Sequence, residues 1–150
     1  MSITQKDYLL RLMEAFAEGL SKCSALTTKG RKQEALCHLK ATANSIFGTS
    51  LSMLDALDSQ SAADMLVDAV KVEIYAGLVQ EEAEILALLG DQDQAKAGHV
   101  RALELFLERT RMSPCIDEET RKRIGMLCIK IESDRLDERY SSLLQGIIRS

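Results

Sequence analysis

Apolar residues recur along this chain at three- and four-residue spacing, the period of an α-helix with one buried face. The first run, from about Gln5 to Thr27, carries Leu9, Leu12, Met13, Phe16, Leu20 and Cys23 on one stripe. Thr4 is its expected N-cap, with Asp7 at the capping-box position. Thr28-Lys29-Gly30 ends it, and a second helix runs to about Phe47 with Ala35, Leu36, Leu39, Ala43 and Ile46 on one face. Leu51 to Asp58 reads as a short helical segment, and Ser61 is expected to cap the next one after the polar break Asp58-Ser59-Gln60-Ser61. The pattern then continues from Ala62 to Leu89. That length predicts a kink or break somewhere near Val70 to Gly77, with Gly77 the weak point. Gln92 to about Arg111 carries Ala95, His99, Ala102, Leu103 and Phe106 on one stripe, and Ser113-Pro114 ends it. Asp117 caps a helix bearing Ile124, Leu127, Cys128 and Ile131. A last helix, from about Asp134, carries Leu136, Tyr140, Leu143, Leu144, Ile147 and Ile148. No segment sustains a period of two, so no sheet is expected. The expectation is an all-α single domain over 1–150, with six or seven helices in hairpins at about 5–47, 62–112 and 117–149.

Two turns share the form Gly-x-x-x-x-Ala, from Gly30 to Ala35 and from Gly90 to Ala95. Glycine ends a helix without a Cβ clash, and the alanine lets the next helix approach closely. The second hairpin resembles the tetratricopeptide unit, a 34-residue helix-turn-helix. Anchored on Gly90, the small and large slots of its first helix hold Ala83 and Leu86, and the small slots of its second hold Ala95 and Ala102. It departs from that pattern at Val79, Glu82 and His99, and the trailing proline comes late, at Pro114. The first hairpin fits at Cys23, Leu26, Gly30 and Ala35 but has Gly19 in the leading aromatic slot. The resemblance implies stacked antiparallel hairpins, as a right-handed superhelix or a compact bundle. Through Asp7-Tyr8-Leu9-Leu10-Arg11-Leu12, Glu81-Glu82-Ala83-Glu84, Gly90-Asp91 and Ala102-Leu103-Glu104-Leu105, residues 5 to 110 also resemble a family of small uncharacterised bacterial proteins. That resemblance carries fold and no chemistry.

Composition narrows the functions more than it names one. The chain is 46% hydrophobic and 28% charged, with one proline and no tryptophan. No apolar run reaches the roughly 18 residues that span a bilayer, and the first residues lack the apolar core of a secretory signal. A cytoplasmic location without a membrane partner is expected. Residues 55–94 hold ten Asp/Glu against Lys71 alone, an acidic centre that disfavours nucleic acid. Lys22, Lys29, Arg31, Lys32 and Lys40 form one basic zone, and Arg109, Arg111, Arg121, Lys122 and Arg123 a second, both poor in aromatics.

No phosphate-cradling glycine loop, nucleophile elbow or His-Glu-x-x-His occurs. The four cysteines, Cys23, Cys37, Cys115 and Cys128, form no Cys-x-x-Cys pair. Cys23 and Cys37 flank Gly30 symmetrically and read as small buried residues, with a bridge between them as the alternative. His99 lies on an apolar stripe, whereas His38 flanks one and is expected to be exposed. The carboxylates of Glu81, Glu82, Glu84, Glu104 and Glu108 read as solvent-facing. These readings give no catalytic residue, cofactor or metal. They leave a non-catalytic module that binds an unidentified protein or peptide. The alternatives are a nucleic-acid-associated protein using the basic first hairpin and, third, a small enzyme without a recognisable motif. The stripe of Tyr140, Leu143, Leu144, Ile147 and Ile148 is expected to cap the chain's own stack or to form a homodimer seam.

Overall fold

A computed structural model describes residues 3–131 and 135–148. They form eight α-helices and no strand: α1 (Ile3–Thr28), α2 (Lys32–Phe47), α3 (Ser50–Ala56), α4 (Ser59–Leu66), α5 (Ala69–Leu88), α6 (Gln92–Met112), α7 (Glu118–Lys130) and α8 (Glu138–Ile148). Helices α1 and α2 form one antiparallel hairpin, and α5 and α6 form the most extensively packed pair. The two hairpins meet where α5 packs on both α1 and α2, while α4, α7 and α8 pack on α6.

Helix α5 is the centre of the molecule because it is apolar around most of its circumference. Ile74, Leu78 and Ile85 join Leu9, Leu12, Cys23, Leu36 and Leu39 in one core. Tyr75 and Ala76, on another face, join Leu54, Ala102, Leu103, Phe106, Ile124 and Leu127 in a second. A helix buried on two sides has no polar stripe to orient it, so its neighbours set its rotation.

The two hairpin turns are built alike. Gly30 has φ +78° and Gly90 φ +91°, the left-handed region that glycine enters freely. The Gly30 N–H donates to Thr27 and the Arg31 N–H to Leu26; the Gly90 N–H donates to Ala87 and the Asp91 N–H to Leu86. Both are Schellman closures, which satisfy the last carbonyls of the first helix. Beyond them Ala35, Ala83, Ala95 and Ala102 are buried and Leu86 is half-buried. The helices of the second hairpin approach closely at Ala83 and Gly98, where an added Cβ would lie 2.9 Å from the Ala83 Cβ.

Several boundaries differ from those the sequence suggests. Thr4 lies inside α1 and does not cap it, and Met13 is exposed. Asp58, not Ser61, caps α4, accepting from the Ser61 N–H at 2.8 Å. The long run from Ala62 breaks at Val67, a non-glycine residue at φ +67°. Asp68 then caps α5 by accepting from Val70 and Lys71. Gly77 is not the break: it sits inside α5 under the Phe16 ring, where an added Cβ would lie 2.5 Å from Cζ. Asp117 caps α7 as expected. Asp134 lies outside the described residues; the last helix begins at Glu138, and Asp137 accepts from the Tyr140 N–H. Helices α7 and α8 each pack on α6.

Candidate functional site

Three helices line a cleft of about 170 Å³. Helix α2 supplies Leu39 and Ala43 to its floor and Lys40 and Asn44 to its rim, two pairs at i,i+4 on adjacent stripes. Helix α3 supplies Leu51 and Asp55, again at i,i+4. Helix α5 supplies Tyr75, Leu78, Val79 and Glu82, one helical face over two turns.

The cleft is held in shape from behind by Arg101 of α6. Its guanidinium donates to the carbonyls of Leu54 at 2.7 Å and Leu57 at 2.8 Å, fixing the C-terminus of α3. It also donates to the Tyr75 hydroxyl at 3.0 Å, and that hydroxyl donates to Asp55 Oδ1 at 2.6 Å. The Tyr75 ring meets Phe47 edge-on at 5.7 Å. Burial first, and the Asp55 hydrogen bond second, keep the Tyr75 phenol well above its ordinary range, so it stays a donor. Burial also raises the Glu82 carboxyl; Lys40 opposes that shift and Asp55 adds to it.

A second polar cluster lies under α8. Glu108 is fully buried and accepts from Arg111 Nε at 2.7 Å, from Arg139 at 3.0 and 3.1 Å, and from the Tyr140 hydroxyl at 2.8 Å. Burial pushes this carboxyl up, but the bonds from Arg139, Arg111 and Tyr140 outweigh it and hold the group below the usual range. The expectation that Glu108 faces solvent is therefore wrong: α8 closes over it. Glu81, Glu82, Glu84 and Glu104 are also drawn inward, to half-buried positions.

Of the C-terminal face, Tyr140 is buried, and Leu143, Leu144 and Ile147 are half-buried against the chain's own core. Ile148 is exposed. The second basic zone is not a free patch. Arg109 pairs with Glu73, Arg111 with Glu108 and Asp64, and Arg123 with Glu81 and Glu119, leaving Arg121 and Lys122 exposed. In the first zone Lys22, Lys29, Arg31 and Lys40 are exposed and Lys32 is half-buried.

His99 is buried, as its stripe suggests, with Nε2 3.6 Å from Glu84 and no hydrogen bond among the described residues. Burial lowers its pKa, and Glu84 opposes that shift. His38 is half-buried rather than exposed. All four cysteines are free thiols. Cys23 points under α2 and donates to the Ala35 carbonyl, whereas Cys37 is exposed on the outer face, so the two do not face each other. Among the described residues no group of three His, Cys, Asp or Glu is placed to hold a metal ion, and no helix is long and apolar enough to cross a membrane.

The sequence reading missed the cleft, because it is assembled from three helices with no local motif. The only trace is the helical spacing of Tyr75, Leu78, Val79 and Glu82. The fold defines the chain as an all-α protein of packed, neighbouring helices. No protein-family model, curated protein or solved structure matches it.

Proposed function

We propose that this chain is a non-catalytic recognition module that docks a peptide segment of a partner protein in the α2/α3/α5 cleft. The observation that carries this reading is the cleft's make-up: an apolar floor of Leu39, Ala43, Leu78 and Val79 under a rim of Lys40, Asn44, Asp55 and Glu82. An apolar floor with a few oriented polar groups is the usual form of a ligand site. Twin Schellman-closed hairpins, with α5 packed on both helices of the first and α7 following on α6, support reading the stack as tetratricopeptide-like. Repeats of this kind use inter-helix grooves to hold peptides. The half-burial of Leu143, Leu144 and Ile147 on the chain's own core favours α8 as a cap over α8 as a homodimer seam. Pairing of Arg109 and Arg111 of α6 and Arg123 of α7 with carboxylates weighs against the second basic zone as a nucleic-acid surface.

The test is selection from a random peptide library against the full chain, followed by binding to Val79→Glu, which places a charge in the half-buried floor. Peptides whose binding is lost in this variant, at an unchanged melting temperature, support the reading. Peptides indifferent to it would place recognition elsewhere.

A further inference from the structure

The cleft gathers Lys40, Asp55 and Glu82 on one lining. Lys40 and Glu82 line the same small cavity, yet neither makes a hydrogen bond or ion pair with any described residue. Asp55 is bonded through Oδ1 to the Tyr75 hydroxyl, and its other oxygen has no hydrogen bond among the described residues. Glu82 is half-buried, whereas Lys40 and Asp55 are exposed at the mouth of the cleft; a half-buried carboxylate without a hydrogen-bond donor favours an occupant that supplies one.

The chemistry of that occupant is constrained on three sides. It must bring a cation with N–H donors to Glu82 and Asp55. It must bring an acceptor oxygen to Lys40 and Asn44, and an apolar group to Ala43, Leu78 and Val79. The amino end of a peptide chain with an apolar first residue carries all three on neighbouring atoms: the ammonium, the first carbonyl and the first side chain. A lysine side chain brings the cation without the adjacent acceptor. A C-terminal carboxylate would be repelled by Glu82 and Asp55. The acidic stretch 55–94, with Lys71 its lone cation, attracts a positive chain end. Lys40 and Asn44 are exposed, so the rest of a bound chain has a way out over α2.

We propose that the cleft captures the N-terminal amine of a partner peptide whose first residue is apolar. This rests on the reading of the cleft as a peptide dock, and it names what is docked.

The experiment is amide NMR titration of the full chain with three probes: Leu-Gly-Gly amide, its N-acetyl form, and free leucine. The free-amine peptide is expected to shift the signals of Lys40, Asp55 and Glu82. It should bind at least about tenfold more tightly than the acetylated peptide, the loss of one charge-assisted hydrogen-bond set. Glu82→Gln and Asp55→Asn should each weaken it by a similar factor; Glu82→Gln keeps the side-chain shape and is expected to leave the melting temperature unchanged. Equal binding of the acetylated peptide at the cleft would overturn amine capture while leaving the peptide dock standing. Free leucine binding as tightly as the tripeptide would overturn the chain-end source, and with it the peptide reading. Failure of all three probes would overturn the capture proposal, and the Val79→Glu test would then decide the wider reading by itself.

Discussion

Two carboxylates on adjacent helices meet burial in opposite ways. Glu108 of α6 is fully buried and saturated by two guanidiniums and a phenol. Glu82 of α5 is half-buried and has no hydrogen-bond partner among the described residues. The fold lowers the pKa of the first and raises that of the second. A buried charge with every lone pair engaged locks elements together, here α8 onto α6. A half-buried charge with none engaged adds nothing to the fold and stays available to a ligand.

The largest effect is expected at the saturated site. Glu108→Gln removes the charge that holds Arg111, Arg139 and Tyr140, and should cost about 3 kcal/mol in denaturant unfolding. The sign with pH follows from the lowered pKa: this carboxylate stabilises fully above the unfolded carboxylate value, and the contribution is lost as pH falls through the lower folded value. Glu108→Gln should therefore flatten the acid limb of the stability curve. An unchanged acid limb would mean that Glu108 does not anchor α8.

Arg101→Met should come next. It frees the carbonyls of Leu54 and Leu57 and the Tyr75 hydroxyl, at a cost of about 2 kcal/mol, and should loosen α3 so that its amides exchange faster. Retained protection in α3 would show that the cleft wall does not depend on this residue. Gly90→Val forces a β-branched residue to φ +91° with open space around it, so its cost of about 1–2 kcal/mol is backbone strain alone. The melting temperature should fall accordingly; no change would mean that the turn relaxes away from this geometry.

Glu82→Gln is the smallest effect and the sharpest contrast. A carboxyl whose folded pKa is raised favours folding only while protonated, and becomes a penalty once pH exceeds its folded value. The variant should match or slightly exceed the parent at pH 7, within about 0.5 kcal/mol, and the difference should vanish in acid. A clear destabilisation would make Glu82 a structural residue.

Much of the fold was legible in the chain. Stripes such as Leu9, Leu12, Phe16 and Leu20 located the helices, and Gly30 and Gly90 located both hairpin turns because positive φ has few sequence solutions. The break at Val67 was hidden, since valine is a poor choice for that conformation and only the Asp68 cap marks the restart. Glu108 looked solvent-facing because its burial depends on α8, whose Arg139 and Tyr140 lie 31 and 32 residues downstream. The cleft was invisible for the same reason: Lys40, Asp55 and Glu82 come from three helices, and no local spacing connects them.

The most direct measurement is a carbon-13 carboxyl NMR titration that follows Glu82 and Glu108 in one sample, with and without Leu-Gly-Gly amide. The account predicts that Glu108 titrates below the usual carboxylate range and ignores the peptide, while Glu82 titrates above that range and falls when the ammonium binds. An ordinary Glu82 titration that the peptide leaves unmoved would contradict it.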